Sequence, residues 1–238
     1  MPSDKAKRHG RRNATSDRNR DRALRTRPAR KNILIVCEGK ETEPSYFRGL
    51  IDAHRLHTVA VQRIEVKGVG RQGPALVTYA EGLQKRGADA YDEIWCVFDK
   101  DSLSSEEFNN AIAYTKSHRF LRTAWSNEAW ELWYVLHFQF LDNAPTHGGR
   151  GVARDWYVHR LHSLLQPLGR TYYDKADRKL YEDLGTERRD TAIRHAIRLE
   201  KQNAAHGESH HRCVPGTTVH TLVQCLLEMA PENDQTSD

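Results

Sequence analysis

The sequence predicts an α/β fold in which a mainly parallel sheet is flanked by helices. Three observations carry this. An apolar run over 32–37 ends on Glu38 and Gly39 and gives way to a helical pattern, and a second apolar run, Ile94 to Phe98, ends on Asp99 and Asp101 before another helix. Continuous apolar runs of this length, bounded by turn residues, describe strands covered on both faces, as in parallel sheets. After Asn143 strand patterns cease and helices follow one another.

The 238 residues suffice for one main domain with a helical extension. The charge is unevenly placed. Residues 1–31 carry twelve Lys or Arg against three Asp, a net +9 within a total of +5, so the remaining chain sums to −4. This stretch has few large apolar side chains and is expected to be disordered. It is either an arm that attracts phosphate backbones or a solubilising leader. The expected layout is a basic tail over 1–31, an α/β core over 32–143, a helical extension over 144–230 and a short disordered tail over 231–238.

In chain order, the strand over 32–37 leads into a helix from Thr42, a candidate N-cap, with Pro44 in its first turn and Tyr46, Phe47, Leu50 and Ile51 on one side. A strand over 58–66, rich in β-branched residues, leads into Gly68-Val-Gly-Arg-Gln-Gly73 and a helix over 75–86. That glycine run matches GxGxxG but follows the second strand and has no clear acidic partner for a ribose, so dinucleotide binding is not expected. It remains a plain loop or one that touches phosphate through its backbone and Arg71.

After Ile94 to Phe98, Asp99 and Asp101 are expected to point the same way, as residues two apart on an extended chain do. Ser104 or Ser105 caps the next helix, with Glu106 and Glu107 in its first turn. A strand over 119–125 and a helix over 128–140 follow. In that helix Glu131 stands among Trp130, Leu132 and Trp133, where a carboxylate is costly unless it is solvated, paired with an arginine or bound to a metal. Helices are expected over 152–166, 175–184, 187–205 and 218–229, the third carrying an exposed basic face with Arg194 and Arg198.

His206, His210, His211 and Cys213 lack a second ligand pair at zinc-site spacing and read as a polar loop. Cys37, Cys96, Cys213 and Cys225 form no CxxC pair and suit reduced thiols in a cytoplasm. No apolar run approaches the roughly 18 residues of a membrane span, and the N-terminus shows no apolar signal region.

Two strands thus end in acids, Glu38 on one and Asp99 with Asp101 on another. If the strands are parallel neighbours the acids converge, and oxygen-only ligation selects Mg²⁺ or Mn²⁺. At this point the chain resembles a known family. Glu38-Gly39 and Asp99-Lys-Asp101 after strands resemble the Toprim domain of topoisomerases, primases and OLD-type nucleases. Ile35-Val-Cys-Glu-Gly-Lys-Glu-Thr-Glu-Pro-Ser-Tyr-Phe47, Val97-Phe-Asp-Lys-Asp101, Ser126-Asn127 with Glu131-Leu-Trp133 and His137-Phe138, and Thr217-Thr-Val-His220 resemble RloB-like proteins more closely, in order over roughly 32–226. One departure is Glu128-Ala-Trp130, where the family more usually has Pro-Cys-Phe.

The resemblance implies a Toprim-like α/β fold, a restriction or phage-defence setting and a neighbouring ATPase of the AAA or ABC type. It makes Glu38 a general base or metal ligand and Glu43, Asp99 and Asp101 metal ligands, with Glu41 the competitor of Glu43. Glu131 and His137 match the pattern and join the candidate catalytic set. Lys40, Arg71, Lys100, Arg194 and Arg198 are the candidate nucleic-acid contacts. The chain has no Walker A sequence, so ATP hydrolysis is assigned to the partner. The leading expectation is a metal-dependent nuclease acting on DNA or RNA. The alternatives are a non-catalytic subunit that binds nucleic acid or a nucleotide, and a structural subunit of an ATPase complex; homo-oligomerisation is left open.

Overall fold

A computed structural model describes residues 31–56, 63–86, 90–143, 152–177, 179–207 and 209–230. All but Lys31 of the basic tail over 1–31, the 231–238 tail and the first part of the expected 58–66 strand lie outside the described residues. The elements run β1 (Asn32–Cys37), α1 (Thr42–Ala53), β2 (Arg63–Gly68), α2 (Gly73–Gly82), β3 (Glu93–Asp99), α3 (Ser105–Lys116), β4 (Leu121–Asn127), α4 (Glu131–Leu136), α5 (Val152–Leu165), α6 (Leu180–Asn203), β5 (Gly216–Thr217) and α7 (Val219–Leu227).

The five strands form one sheet in the order β2-β1-β3-β4-β5. The first four are mutually parallel and β5 is antiparallel to β4. Alternate residues of β1 serve two hydrophobic layers. Ile33, Ile35 and Cys37 face a cluster built with α1, α4, α5, α6 and α7, whereas Leu34 and Val36 face one built with α2 and α3. Burial on both faces is the physical reason for the unbroken apolar runs. The first cluster runs from Ile33 to Met229, so the C-terminal helices share the core rather than forming their own.

Capping explains some boundaries and corrects others. Ser104 caps α3 with a reciprocal box: Glu107 N–H donates to Ser104 Oγ at 3.1 Å and Ser104 N–H to Glu107 Oε2 at 3.0 Å. Thr42 is not a cap. It is the first helical residue of α1, and the loop N–H of Gly39 is satisfied instead by Glu43 Oε1 at 3.1 Å. The expected 128–140 helix is reduced to the six residues of α4. The expected 175–184 and 187–205 helices join as α6, broken at Gly185, whose φ of 67° leaves the helical region. The two-residue β5 was not expected; Thr217 Oγ1 secures it by donating to Trp125 O at 3.0 Å.

Candidate metal centre at the sheet switch point

The chain leaves β1 toward β2 on one side, then returns to place β3 on the other. The strand order therefore reverses between β1 and β3, and open α/β sheets bind ligands in the crevice outside the carboxyl ends at such a point. Glu38 follows β1 directly, and its N–H donates to Val97 O of β3 at 2.8 Å. Asp99 closes β3. The two acids the sequence placed on separate strands are brought together by adjacent parallel pairing.

They open into a cavity of about 880 Å³ whose lining includes Glu38, Glu41, Glu43, Asp99, Asp101, Glu107 and Glu131 against Lys40, Arg154 and Lys175. Seven carboxylates against three cations leave the lining strongly acidic. Of the two competing acids in the Glu-Gly turn, Glu43 is the buried one, 6% exposed and turned back onto Gly39 N–H, while Glu41 is exposed at the rim.

Asp99 is 4% exposed; its Oδ2 accepts from Trp130 N–H at 3.1 Å and from Arg154 Nη2 at 2.8 Å. Asp101 meets it by a route other than strand alternation. Asp101 lies in the turn after β3 at a φ of 27°, its N–H donates to Glu128 O at 2.9 Å, and its Oδ2 accepts from Arg154 Nη1 at 3.0 Å. Glu131 opens α4, is 2% exposed, and is paired rather than solvated: Arg154 Nε approaches Oε2 at 3.4 Å and Lys175 Nζ approaches Oε1 at 3.6 Å.

The electrostatics follow from packing like charges in a partly dry site. Burial pushes the Glu38 carboxyl up to about 7, with Glu43 and Asp101 adding to the rise and the Gln72 side chain and Asp99 backbone opposing it. Burial and then the Glu38 charge push Asp99 well above the ordinary carboxylate range, against the pull of Arg154. Burial raises Glu43 as well. Burial works against the Arg154 charge, but Asp99, Glu131 and Asp101 outweigh it and raise its pKa.

Two buried oxygens in this cluster, Glu38 Oε2 and Asp99 Oδ1, have no hydrogen-bond partner. Orphaned carboxyl oxygens at a shared mouth fit an oxygen-seeking cation in donor chemistry. As they stand, no three His, Cys, Asp or Glu side chains among the described residues are grouped to hold a metal ion.

The other expected residues fall elsewhere. His137 is 1% exposed, in an aromatic core with Tyr46, Trp133 and Tyr134, and does not line the cavity. Its Nδ1 lies 2.9 Å from Trp133 O, which makes Nδ1 the protonated nitrogen and leaves Nε2 to accept from the Tyr46 hydroxyl at 3.3 Å. Burial lowers its pKa to about 3, so it is neutral and structural there rather than a proton donor. Lys40 lines the cavity, and Lys100 lines a smaller neighbouring one with Asp101. Arg71 stacks on the Tyr79 ring, Arg194 donates to Thr191, and Arg198 lies 3.8 Å from the centre of the Phe140 ring; all three are exposed and none lines the cavity.

The GxGxxG loop is tied to the turn after β1. Val69 N–H donates to Cys37 O at 3.1 Å and Gly70 N–H to Glu38 O at 2.8 Å, so it buttresses the Glu38 turn. Three residues of the site went unseen in the sequence. Gln72 sits inside that loop and could have been found from it; Arg154 and Lys175 carry no local signal.

Of the expected polar loop over His206 to Cys213, His210–Arg212 form a 3-10 turn that packs on α3, with His211 N–H donating to Asn109 Oδ1 at 3.1 Å. Among the described residues no helix is long and apolar enough to cross a membrane. No curated protein and no solved structure matches the chain. The family model described as RloB-like protein matches residues 33–226, most of the chain, which therefore belongs to the RloB-like protein family.

Proposed function

We propose that this chain is a metal-dependent nuclease that hydrolyses phosphodiesters in DNA or RNA, acting as an effector in a restriction or phage-defence system beside an ATPase partner. The observation that carries the chemistry is the pair of buried, unpartnered oxygens of Glu38 and Asp99 at the ends of adjacent parallel strands. The defence setting and the ATPase partner rest on the family resemblance alone.

Glu38, Glu43, Asp99 and Asp101 are the residues that would hold Mg²⁺ or Mn²⁺. Such an ion supplies charge stabilisation at a phosphate and a more acidic bound water. The chain's own contribution is positional. Trp130 N–H fixes one oxygen of Asp99, Gly39 N–H fixes one of Glu43, and the Gln72 side chain steadies Glu38. Lys40 and Lys175 at the cavity supply positive charge that an approaching phosphodiester needs in so acidic a lining.

The purified protein, with its ATPase partner present, is expected to cut nucleic acid in Mg²⁺ or Mn²⁺, and Asp99→Ala to abolish cutting. Equal cleavage by wild type and variant would contradict the reading. A second reading, a non-catalytic subunit that binds nucleic acid, is favoured by the ion pairs Arg154 makes with Asp99 and Asp101, which would then be purely structural. It predicts binding that survives Asp99→Ala but falls when residues 1–31 are deleted.

A further inference from the structure

The acids of the cavity and most of the cations that answer them come from different parts of the chain. Every lining carboxylate lies between residues 38 and 131, whereas Arg154 comes from the first turn of α5 and Lys175 from the connection between α5 and α6. Arg154 uses all three faces of its guanidinium: Nη2 to Asp99 Oδ2 at 2.8 Å, Nη1 to Asp101 Oδ2 at 3.0 Å, and Nε to Glu131 Oε2 at 3.4 Å.

A guanidinium cannot discharge its proton at any relevant pH, and its planar fork matches carboxylates better than an ammonium does. It is therefore a permanent cation bridging acids from β3, the turn after it and α4. Two of its three partners, Asp99 and Asp101, are also residues that would hold the divalent ion. The group is not sealed in: its side chain is 32% exposed, so it has somewhere to go.

A dication coordinated by Asp99 and Asp101 would stand within a few ångströms of this guanidinium, and like charges at that range in a partly buried site repel strongly. The oxygens that Arg154 leaves free, Asp99 Oδ1 and the neighbouring Glu38 Oε2, are the ones without partners. The site is thus half occupied by an internal cation and half open to an external one.

We propose that Arg154 and a divalent cation are alternative partners for Asp99 and Asp101, so that Arg154 holds the metal-free site together and must swing away for the ion to be fully bound. This rests on the reading that the carboxylates take a divalent ion. The arrangement lowers metal affinity by the strength of the displaced contacts, and it delivers a freed guanidinium beside the ion, where it can take phosphate oxygens.

The test is Mn²⁺ binding to the full chain, followed by calorimetry and by the electron paramagnetic resonance of free Mn²⁺, for wild type, Arg154→Lys and Arg154→Gln, with folding checked by circular dichroism. Affinity is expected to rise from wild type through Arg154→Lys to Arg154→Gln, with Arg154→Gln about tenfold or more tighter than wild type, the scale of a charge-assisted contact. Affinity equal to or weaker than wild type in both folded variants overturns the proposal while leaving the metal site standing. Absence of Mn²⁺ binding in wild type and variants alike overturns both readings, whereas binding by Arg154→Gln alone supports the competition.

Should the variants fail to fold, wild-type crystals soaked in Mn²⁺ decide it. An ion on Asp99 and Asp101 with Arg154 displaced supports the proposal. An ion there with all three Arg154 contacts intact, or no ion at all, overturns it.

Discussion

A Cβ placed on Gly68 would stand 2.5 Å from the carbonyl oxygen of Gly39, and 2.6 Å from the Cα of Lys40. The last residue of β2 and the turn after β1 are in backbone-to-backbone contact, and only a glycine at 68 permits it. That contact, with the Gly70 to Glu38 hydrogen bond beside it, makes the second glycine loop the wall against which the Glu38 turn is set.

Gly68→Ala should therefore destabilise the protein, since the obstructing atoms are backbone and cannot rotate away. The expected loss is about 1–3 kcal/mol, the range for overpacking, read as a drop in denaturation midpoint. An unchanged midpoint would show that the two loops part easily.

Gly39→Ala should behave differently. The new Cβ would meet the Glu43 carboxylate, the far end of a flexible side chain, so the fold gives way there and the site does not keep its shape. Displacing that carboxylate breaks its contact with Gly39 N–H, so a loss of about 0.5–1.5 kcal/mol is expected, the worth of one hydrogen bond, while Mn²⁺ binding weakens. Loss of stability without loss of binding would contradict this.

In the metal-free protein Glu38 should destabilise the fold as pH rises. Its carboxyl is raised from 4.5 to about 7 on folding, so between those values the folded chain binds more protons than the unfolded one, and stability falls with increasing pH. Glu38→Gln removes this term. Thermal melts should show the variant gaining on wild type steadily from pH 4.5 to 7, with Mn²⁺ restoring the wild type; a constant difference would refute the burial of this charge.

His137 should act with the opposite sign. Its pKa falls from 6.5 to about 3, so the unfolded chain binds a proton that the folded chain refuses, and the stability it contributes above pH 6.5 is lost on acidification. The stability difference between wild type and His137→Gln, measured by denaturant titration, should shrink between pH 7 and 4. The proposed nuclease activity should not acquire or lose a titration near neutrality from this residue.

Much of this architecture is legible in the sequence because it is local. The runs of β1 and β3 end on Glu38 and Asp99 within a residue of where the structure ends them, and the Ser104 to Glu107 box announces α3. What is not legible is long-range. Arg154 reaches Asp99 across 55 residues, and nothing in Arg154-Asp155-Trp156 distinguishes it from an ordinary helical arginine. β5 has two residues, too few for any alternation, and exists because Thr217 and Gly216 find Ser126 and Asn127. His137 matches a family pattern, yet its neighbours Tyr46, Trp133 and Tyr134 make it a hydrogen-bonded member of the core.

The central claim is that Glu38 and Asp99, on neighbouring parallel strands, share a divalent cation. Mn²⁺ titration of metal-free protein, comparing wild type with Asp99→Asn by calorimetry, tests it most directly. Wild type is expected to bind, and Asp99→Asn to have lost that binding. Binding of equal strength by both, or none by either wild type or Arg154→Gln, would contradict it.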